Sequence, residues 1–195
     1  LVSWVSGHGL KRDYVSNSSI SYNAKLAVIA SEDQLFTDHN GFDWKSIQKA
    51  MKYNERKPGR VRGASTISQQ VAKNVFLWQG RSWIRKGLEV YFTFMIETFW
   101  NKKRILEVYL NVIEMGDGVF GIEAAAQAYF NKPAKNLSRQ EAAMIAACLP
   151  NPKKYKVKPA SGFVLNRAAF IQRQMNNIET DPDVQEVIGT ASAKK

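Results

Sequence analysis

The sequence predicts a single, mainly α-helical domain. Apolar residues recur at helical spacing in one segment after another, whereas alternating strand patterns are scarce and neither repeats nor an alternating βα rhythm occur. The 195 residues are enough for one sizeable hydrophobic core but not for two compact domains. Hydrophobic residues make up 45% of the chain, which is ordinary for a globular protein and argues against disorder.

Seven helices are predicted, over residues 23–31, 44–54, 66–76, 82–100, 102–111, 121–129 and 138–148. The second helix has Trp44, Ile47 and Met51 on one stripe, and the basic segment after it contains a Pro-Gly pair that ends the helix. The seventh helix begins with Ser138 and Glu141, which form a capping box because each side chain can satisfy a free backbone donor.

No apolar run reaches the about 18–20 residues that are needed to cross a bilayer. The longest candidate, residues 88–100, is interrupted by Glu89 and Thr93 and is predicted to be a buried helix. The single Cys148 excludes an intrachain disulfide and is expected to be a small core residue. Residues 181–195 are predicted to be a loose, polar C-terminal tail, so a D-x-D pattern at 181–183 is not expected to bind metal.

The net charge of +11 is concentrated in one stretch. Between residues 45 and 62 there are seven cations and one anion, Glu55, which gives +6 in eighteen residues. The cations are Lys45, Lys49, Lys52, Arg56, Lys57, Arg60 and Arg62. A basic surface suits phosphates, whether these belong to a nucleic acid, an anionic membrane or a substrate.

An acidic motif begins where the first predicted helix ends. Residues 26–30 are all apolar, so the helix carries Glu32 to the mouth of a polar loop, where the carboxylate is partly desolvated. Desolvation raises the proton affinity of a carboxylate, as a general base requires. On composition alone, Glu32 could equally be a solvated helix-end acid. His39 alone is more typical of a structural histidine, since no neighbouring Cys or His gives it metal-site spacing.

A basic constellation precedes a second acid, Glu89. It consists of Lys73, Arg81, Arg85 and Lys86. With Arg81 at the start of a helix, Arg81, Arg85 and Glu89 stack at intervals of four residues, and Lys86 adjoins Glu89 from three residues before it. This pattern is either an exposed ion pair that contributes a few tenths of a kcal/mol, or a cationic cradle for a diphosphate, strengthened by the helix N-terminus.

Two more stretches complete the pattern, residues 63–70 and 105–111. The first carries short hydrogen-bonding groups suited to sugar hydroxyls or phosphate oxygens, on Ser65, Thr66, Gln69 and Gln70. Taken alone it predicts only a capped helix with Ser65 as the N-cap. In the second stretch, Glu107 could be half of a surface ion pair with Lys103.

These four stretches, in this order, resemble the motifs of the peptidoglycan glycosyltransferases. That family comprises the glycan-polymerising domain of bifunctional penicillin-binding proteins and its monofunctional relatives. The resemblance runs from about Lys25 to Pro152, and residues 111–121 are most similar to the monofunctional branch. It implies a mainly α, lysozyme-like domain with a smaller membrane-contacting lobe. Residues 1–22 are then a lead-in that follows a membrane anchor, and residues 23–180 are the glycosyltransferase domain.

The reaction that the resemblance implies is polymerisation of lipid II into β-1,4 glycan strands with inversion and release of undecaprenyl pyrophosphate. Glu32 is the implied general base and Glu89 the second catalytic carboxylate. The implied substrate-binding residues are Asp33, Phe36, His39, Ser65, Thr66, Gln69, Gln70, Lys73, Asn74, Arg81, Arg85 and Lys86. The residues implied to be structural near the site are Gly41, Gly63, Glu107, Tyr109 and Asn111. A divalent cation, Mg²⁺ or Mn²⁺, is expected between Glu32 and the substrate pyrophosphate.

The expected partners are lipid II, the growing glycan strand and proteins of cell-wall synthesis. The membrane is expected to be contacted through residues 42–62 and a single-pass N-terminal anchor, with the catalytic domain on the outer, periplasmic face of the cytoplasmic membrane. Two alternatives remain. A lysozyme-like lytic enzyme shares the carboxylate but needs no diphosphate cradle, and a nucleic-acid binder explains the charge but leaves both acidic motifs unexplained.

Overall fold

A computed structural model gives the fold and describes residues 11–57, 63–78, 80 and 82–189. Nine α-helices lie within these residues: α1 Tyr22–Glu32, α2 Trp44–Arg56, α3 Ile67–Phe76, α4 Trp83–Phe99, α5 Lys102–Val112, α6 Ile122–Phe130, α7 Arg139–Cys148, α8 Gly162–Ile178 and α9 Pro182–Ile188. Three short strands, β1 Lys11–Arg12, β2 Glu114–Gly116 and β3 Val119–Phe120, form a sheet in the order β1-β3-β2. Strand β3 pairs parallel with β1 and antiparallel with β2. The predicted mainly α, lysozyme-like class is confirmed.

Helix α1 is the centre of the core. Every residue from Ala24 to Ala30 is buried, and the helix packs against α7, α8 and α9. A helix that is surrounded by protein in this way has no polar face, which explains the unbroken apolar run in the sequence. Ser21 caps its first turn by accepting a hydrogen bond from the backbone N–H of Ala24. At the other end, the helix brings Glu32 to the surface of the core.

Helix α5 forms the second buried layer, against α3 and α6. Ile105, Leu106, Tyr109 and Leu110 are fully buried or nearly so. Asn111, also buried, ties the N-terminal segment to this helix because its side chain bonds both the N–H and the C=O of Val15, at 2.8 and 2.9 Å. This contact supports the structural role expected for Asn111.

Helix α4 is not the buried helix that the sequence predicts. Its buried residues are Glu89, Thr93 and Ile96, whereas Trp83 is 92% exposed and Phe99 is 72% exposed. Glu89, Thr93 and Glu97 recur every four positions and face α3 and the loop after α1, so most of the apolar residues face outward. With 17 residues each, α4 and α8 are the longest described helices. None of the described helices is long and apolar enough to cross a bilayer.

The predicted loose tail is wrong for residues 182–188, which form helix α9. Val184, Val187 and Ile188 are buried against α1 and α5. Lys25, itself buried, donates from Nζ to the C=O of Ile188 and so caps the end of the helix. Asp181 is the N-cap and accepts from the next two backbone N–H groups. The domain boundaries at residues 22 and 180 stay predictions.

Candidate active site

Glu32, the last residue of α1, lies half-buried at the edge of the core. Its carboxylate accepts a hydrogen bond from Gln70 Nε2 on α3 at 3.1 Å and one from Ser31 Oγ at 3.4 Å. Burial raises the pKa of Glu32 above its ordinary value, although these two hydrogen bonds act in the opposite direction. A carboxylate with raised proton affinity and few internal partners can accept a proton from a substrate hydroxyl.

Gln70 is oriented by a buried tyrosine on α5. Tyr109 Oη donates to Gln70 Oε1 at 3.4 Å, which leaves the amide N–H₂ of Gln70 directed at Glu32. Burial raises the pKa of Tyr109 well above its ordinary value, so the phenol stays neutral and remains a donor. Tyr109 therefore acts on Glu32 through Gln70, which agrees with the structural role expected for it.

Asp33 and His39 hold the loop that follows α1. Asp33 is buried, and its two oxygens contact His39 Nε2 at 2.9 Å and the backbone N–H of Ile67 at 3.0 Å. His39 Nδ1 accepts a hydrogen bond from the N–H of Gly41, so the ring proton is on Nε2 and the imidazole is neutral. Both side chains thus link the loop to the start of α3. Their expected contacts with substrate stay predictions.

Gly41 fits closely between the loop and two helices. Its φ is +88°, a conformation that favours glycine, and its C=O accepts from Thr66 Oγ1 at 2.7 Å. A Cβ at this position would lie 2.7 Å from Thr93 Cγ2 on α4. The expected structural role of Gly41 therefore has a steric explanation.

The cap of α3 is one residue later than predicted. Thr66, not Ser65, is the N-cap, and Thr66 and Gln69 form a capping box with the Gln69 side chain on the backbone N–H of Thr66. Both residues are buried in this cap, whereas Ser65 and Gly63 are exposed beside it. Substrate contacts of Ser65, Thr66 and Gln69 stay predictions.

The predicted cationic cradle spans α3 and α4. Lys73 lies in the last turn of α3, and burial lowers its pKa, while the negative charges of Glu89 and Glu32 act in the opposite direction. Glu89 is 5% exposed and forms an ion pair with Lys86, with 2.6 Å between Nζ and Oε1. The predicted stacking of Arg85 on Glu89 is not observed, since Arg85 Nε donates to the C=O of Trp78. Arg81 lies outside the described residues.

An open depression of about 370 Å³ lies next to the cradle, at the start of α4. It is lined by Ser82, Trp83, Arg85 and Lys86. Ser82 caps α4 by accepting from the N–H of Arg85, so the positive end of the helix dipole opens into this depression. Asn74, near the end of α3, is exposed, and its side chain donates to the C=O of Gln70. Its expected contact with substrate stays a prediction.

Sequence reasoning missed a second ion-pair cluster, formed by Ser68, Glu97 and Lys102. Ser68 Oγ donates to Glu97, and Lys102 Nζ contacts Glu97 Oε1 at 2.9 Å and the C=O of His39 at 2.6 Å. Lys102 Nζ also lies 4.7 Å from the ring centre of Phe36. Glu97 continues the inner stripe of α4 two turns after Glu89, a spacing that could have revealed it. The cluster holds the loop after α1 in place through the bond from Lys102 to the C=O of His39.

Two predicted site residues have other surroundings in the structure. Phe36 is fully buried under Lys102, so it packs in the core and is not on the surface that a substrate would contact. Glu107 pairs with Arg104 at 3.1 Å, not with Lys103, and also accepts from Tyr14 Oη.

No group of three or more His, Cys, Asp or Glu side chains in the described ranges could hold a metal ion.

Comparison with known proteins identifies the family. The family described as Transglycosylase matches residues 1–176. The chain belongs to the transglycosylase family. A protein of Shigella boydii serotype 4 (strain Sb227) named biosynthetic peptidoglycan transglycosylase is 60% identical over 174 residues, which cover 89% of this chain and 72% of that protein. A protein of the same name from Escherichia coli (strain K12 / DH10B) has the same identity and coverage.

The family membership confirms the resemblance found in the sequence and makes the chain a glycosyltransferase. The four transglycosylase motifs fall on the end of α1, the start of α3, the inner stripe of α4 and helix α5, whose Tyr109 contacts Gln70. The lytic and nucleic-acid-binding alternatives are not favoured.

Proposed function

We propose that this transglycosylase polymerises lipid II into β-1,4 glycan strands, with inversion and release of undecaprenyl pyrophosphate, in bacterial cell-wall synthesis. One observation carries the proposal. Gln70, which bonds Glu32 at 3.1 Å, and Lys73, which is close enough to Glu32 and Glu89 for both to act on its pKa, are one turn apart on α3, so the base and the cationic cradle share one cleft. Glycosyl transfer from a diphosphate needs both groups close together. The base takes the proton of the acceptor hydroxyl, while the cations stabilise the charge that develops on the pyrophosphate of the donor.

The chemistry follows from this arrangement. The 4-hydroxyl of the acceptor sugar attacks the anomeric carbon of the growing chain, and its proton passes to Glu32. The bond from that carbon to the pyrophosphate oxygen breaks with its electron pair, and attack from the opposite face inverts the configuration. Lys73, Arg85 and Lys86 stabilise the charge that develops on the departing pyrophosphate. Glu89 keeps the ammonium groups of Lys73 and Lys86 in place.

A divalent cation fits this site only with ligands from the substrate. Both oxygens of Asp33 are bonded within the protein, and the described residues offer Glu32 as a single available carboxylate at the base position. Mg²⁺ is commonly held by one or two carboxylates and substrate phosphates, so Glu32 and the pyrophosphate are a suitable pair. When bound, the ion would supply positive charge to the pyrophosphate oxygens.

The test of the proposed function is incubation of the purified protein with labelled lipid II. Gel analysis should show glycan polymer, and the polymer should be degraded by lysozyme to disaccharide-peptides. Release of short fragments from finished peptidoglycan, with no polymer from lipid II, would instead assign a lytic activity.

Lys73→Ala should lower the polymerisation rate about tenfold or more, because a charge that contacts the departing pyrophosphate is lost. Its effect on the free energy of unfolding should stay under about 1 kcal/mol, since Lys73 lies at the cleft and its burial already costs energy. Initial rates and thermal melts measure the two effects. Lys135→Ala, at an exposed lysine with no ion pair among the described residues, is the matched control. Native rates in Lys73→Ala would contradict the cradle.

The polymerisation rate should fall at acidic pH as Glu32 becomes protonated. Because burial raises the pKa of Glu32, the decline should occur at a higher pH than for a solvent-exposed glutamate. Gln70→Met should move the decline to still higher pH, because the hydrogen bond from Gln70 favours the ionised form. Rates measured from pH 4 to 9 in both proteins test this, and an identical acidic limb would disprove the role of Gln70.

Membrane contact belongs to the same proposal, through two exposed surfaces. On α2, Trp44 is 67% and Met51 is 59% exposed among exposed lysines, although the basic segment 58–62 lies outside the described residues. On α4, the outward-facing aromatic residues include Trp83 and Phe94. Aromatic groups beside lysines suit the headgroup region of an anionic bilayer. We propose that this contact holds the cleft beside the lipid-linked substrate, at the outer face of the cytoplasmic membrane.

The protein should therefore bind anionic lipid vesicles, and more weakly at high salt. Lys45→Gln/Lys49→Gln should weaken binding about tenfold or more, since each cation near an anionic surface contributes about 1 kcal/mol. The matched control is Lys103→Gln/Lys135→Gln, which removes the same charge from other exposed positions. Vesicle sedimentation at several salt concentrations measures the affinity. Equal losses in the two variants would mean that α2 does not face the membrane.

A further inference from the structure

A second basic surface lies between α7 and α8 and continues along α8. Residues 142–178 contain six cations and no Asp or Glu. Four of the cations are exposed lysines in the connection between the helices, Lys153, Lys154, Lys156 and Lys158. None of the four pairs with a carboxylate among the residues that the structure describes. Their charge is therefore available to an external anion.

The lysines are presented on an ordered turn. The backbone N–H groups of Lys154 and Tyr155 donate to the C=O of Asn151 at 3.0 and 2.9 Å, and Asn151 Oδ1 also accepts from the N–H of Lys154. Val157 is fully buried and anchors the middle of the segment in the core. The cations are thus held at defined positions relative to the helices.

Aromatic rings lie among these cations. Tyr155 and Phe163 are stacked, with ring centres 4.4 Å apart and planes at 21°, and Phe163 is 47% exposed. Lys154 Nζ lies 5.7 Å from the ring centre of Tyr155, and Lys158 Nζ lies 4.6 Å from that of Phe130. The surface therefore combines flat apolar faces with positive charge.

The surface leads to Glu32. Phe163 and Arg167 are one helical turn apart on α8, so they share a face. Arg167 is close enough to Glu32 for its positive charge to favour the ionised carboxylate, and its buried Nε has no hydrogen-bond partner in the described structure. Two turns further along α8, Gln174 is hydrogen-bonded to Gln34, the residue that follows Glu32 and Asp33. The cradle cations, in contrast, reach the cleft from α3 and α4.

We propose that this surface, from the turn at 153–158 to Arg167, binds the peptide-bearing glycan strand beside the Glu32 site. The inference rests on the proposed function. Each disaccharide of the strand carries a peptide with carboxylates, which complement the lysines, and the apolar faces of the sugars suit the stacked rings of Tyr155 and Phe163. A strand held here stays in the cleft between successive additions. Chain length, more than the initial rate, depends on such a contact.

The strand fits the surface better than a bilayer does. The rings of Tyr155 and Phe163 stack on each other between cations, whereas a bilayer contact needs apolar side chains that project freely, as on α4. Helix α8 also packs against α1 and bonds Gln34 through Gln174, so the surface lies on the same helix that borders the Glu32 site.

The test uses preformed, fluorescently labelled glycan strands that carry peptides, and measures their binding by anisotropy. Lys154→Gln/Lys156→Gln should weaken binding about fivefold, as expected for two exposed charge contacts. Lys103→Gln/Lys135→Gln removes the same charge from other exposed positions and should leave strand binding unchanged. Equal losses in the two variants, or none in the first, would overturn the proposal. So would a Lys154→Gln/Lys156→Gln variant that loses binding to anionic vesicles but not to strands.

A second pair of variants tests the aromatic contribution. Phe163→Ala should weaken binding of strands from which the peptides have been removed, whereas Leu165→Ala, 50% exposed on the same helix, should not. In polymerisation assays, both the lysine and the Phe163 variants should give shorter strands at a nearly native initial rate. Binding of preformed strands needs no turnover. A protein that binds strands but fails to polymerise lipid II would therefore contradict the proposed function and leave the strand-binding proposal intact. Native binding by Phe163→Ala would contradict the sugar contact.

Discussion

Glu32→Gln is expected to reduce glycan polymerisation about 10²–10⁴-fold, the contribution of a positioned general base. The substitution keeps the size of the side chain and the bond from Gln70, whose N–H₂ can donate to the new carbonyl as it does to the carboxylate. What is removed is the capacity to take the proton of the acceptor hydroxyl. Initial rates with labelled lipid II measure the loss, and circular dichroism confirms the fold.

Two comparisons make the Glu32 result specific. Binding of lipid II should persist in Glu32→Gln, because the proposed pyrophosphate contacts belong to Lys73, Arg85 and Lys86. Glu186→Gln serves as the control acid, since its side chain is exposed on α9 and should be dispensable for rate. An active Glu32→Gln enzyme would refute the mechanism while leaving the family assignment intact.

Glu89→Gln should lower the rate about 10²-fold, the effect of removing one preorganised electrostatic group. The cause differs from that of Glu32→Gln. Glu89 is buried between cations, and its charge raises the proton affinity of Lys73 against the opposing effect of burial. Without it, Lys73 loses its proton more readily and Lys86 loses its ion-pair partner. The cradle then binds the leaving pyrophosphate with less charge and less order.

The pH–rate profile separates these two causes. The alkaline limb of Glu89→Gln should move to lower pH, because Lys73 deprotonates earlier, while the acidic limb set by Glu32 should stay close to its native position. Glu97→Gln, two turns further along α4, tests whether any loss of a buried acid from this helix has the same effect. An unshifted alkaline limb in Glu89→Gln would contradict the proposed link with Lys73.

The helices and the acidic motif could be predicted because their signals are local. Periodicity gave seven helices within two residues at each end, and the apolar run before Glu32 correctly indicated a buried helix that ends at a carboxylate. Helix α8 was missed although Val164, Ala168, Ile171 and Met175, its buried residues, recur at helical spacing. The polar residues between them obscured this apolar periodicity.

Orientation and pairing were the parts that the sequence could not supply. In α4, the polar residues were interpreted as interruptions of a buried helix, because hydropathy does not say which face is inward. The sequence predicts both Arg85 and Lys86 beside Glu89, and the choice of Lys86 as the ion-pair partner depends on the direction of side chains around α4. The Glu97–Lys102 contact depends on how α5 follows α4. Thr66 could have been chosen over Ser65 as the N-cap, since Gln69 lies three residues after Thr66.

The two faces of α4 separate two evolutionary constraints within a single helix. The inward residues Glu89, Thr93 and Glu97 each contact a specific partner, so substitutions there are constrained by geometry. Ile84 and Phe94, at 75% and 63% exposure, need only remain apolar overall and can be exchanged for other apolar residues. Under the proposed membrane contact, exchange of apolar residues on the outer face would adapt the enzyme to a different lipid composition without disturbing the chemistry of the inner face.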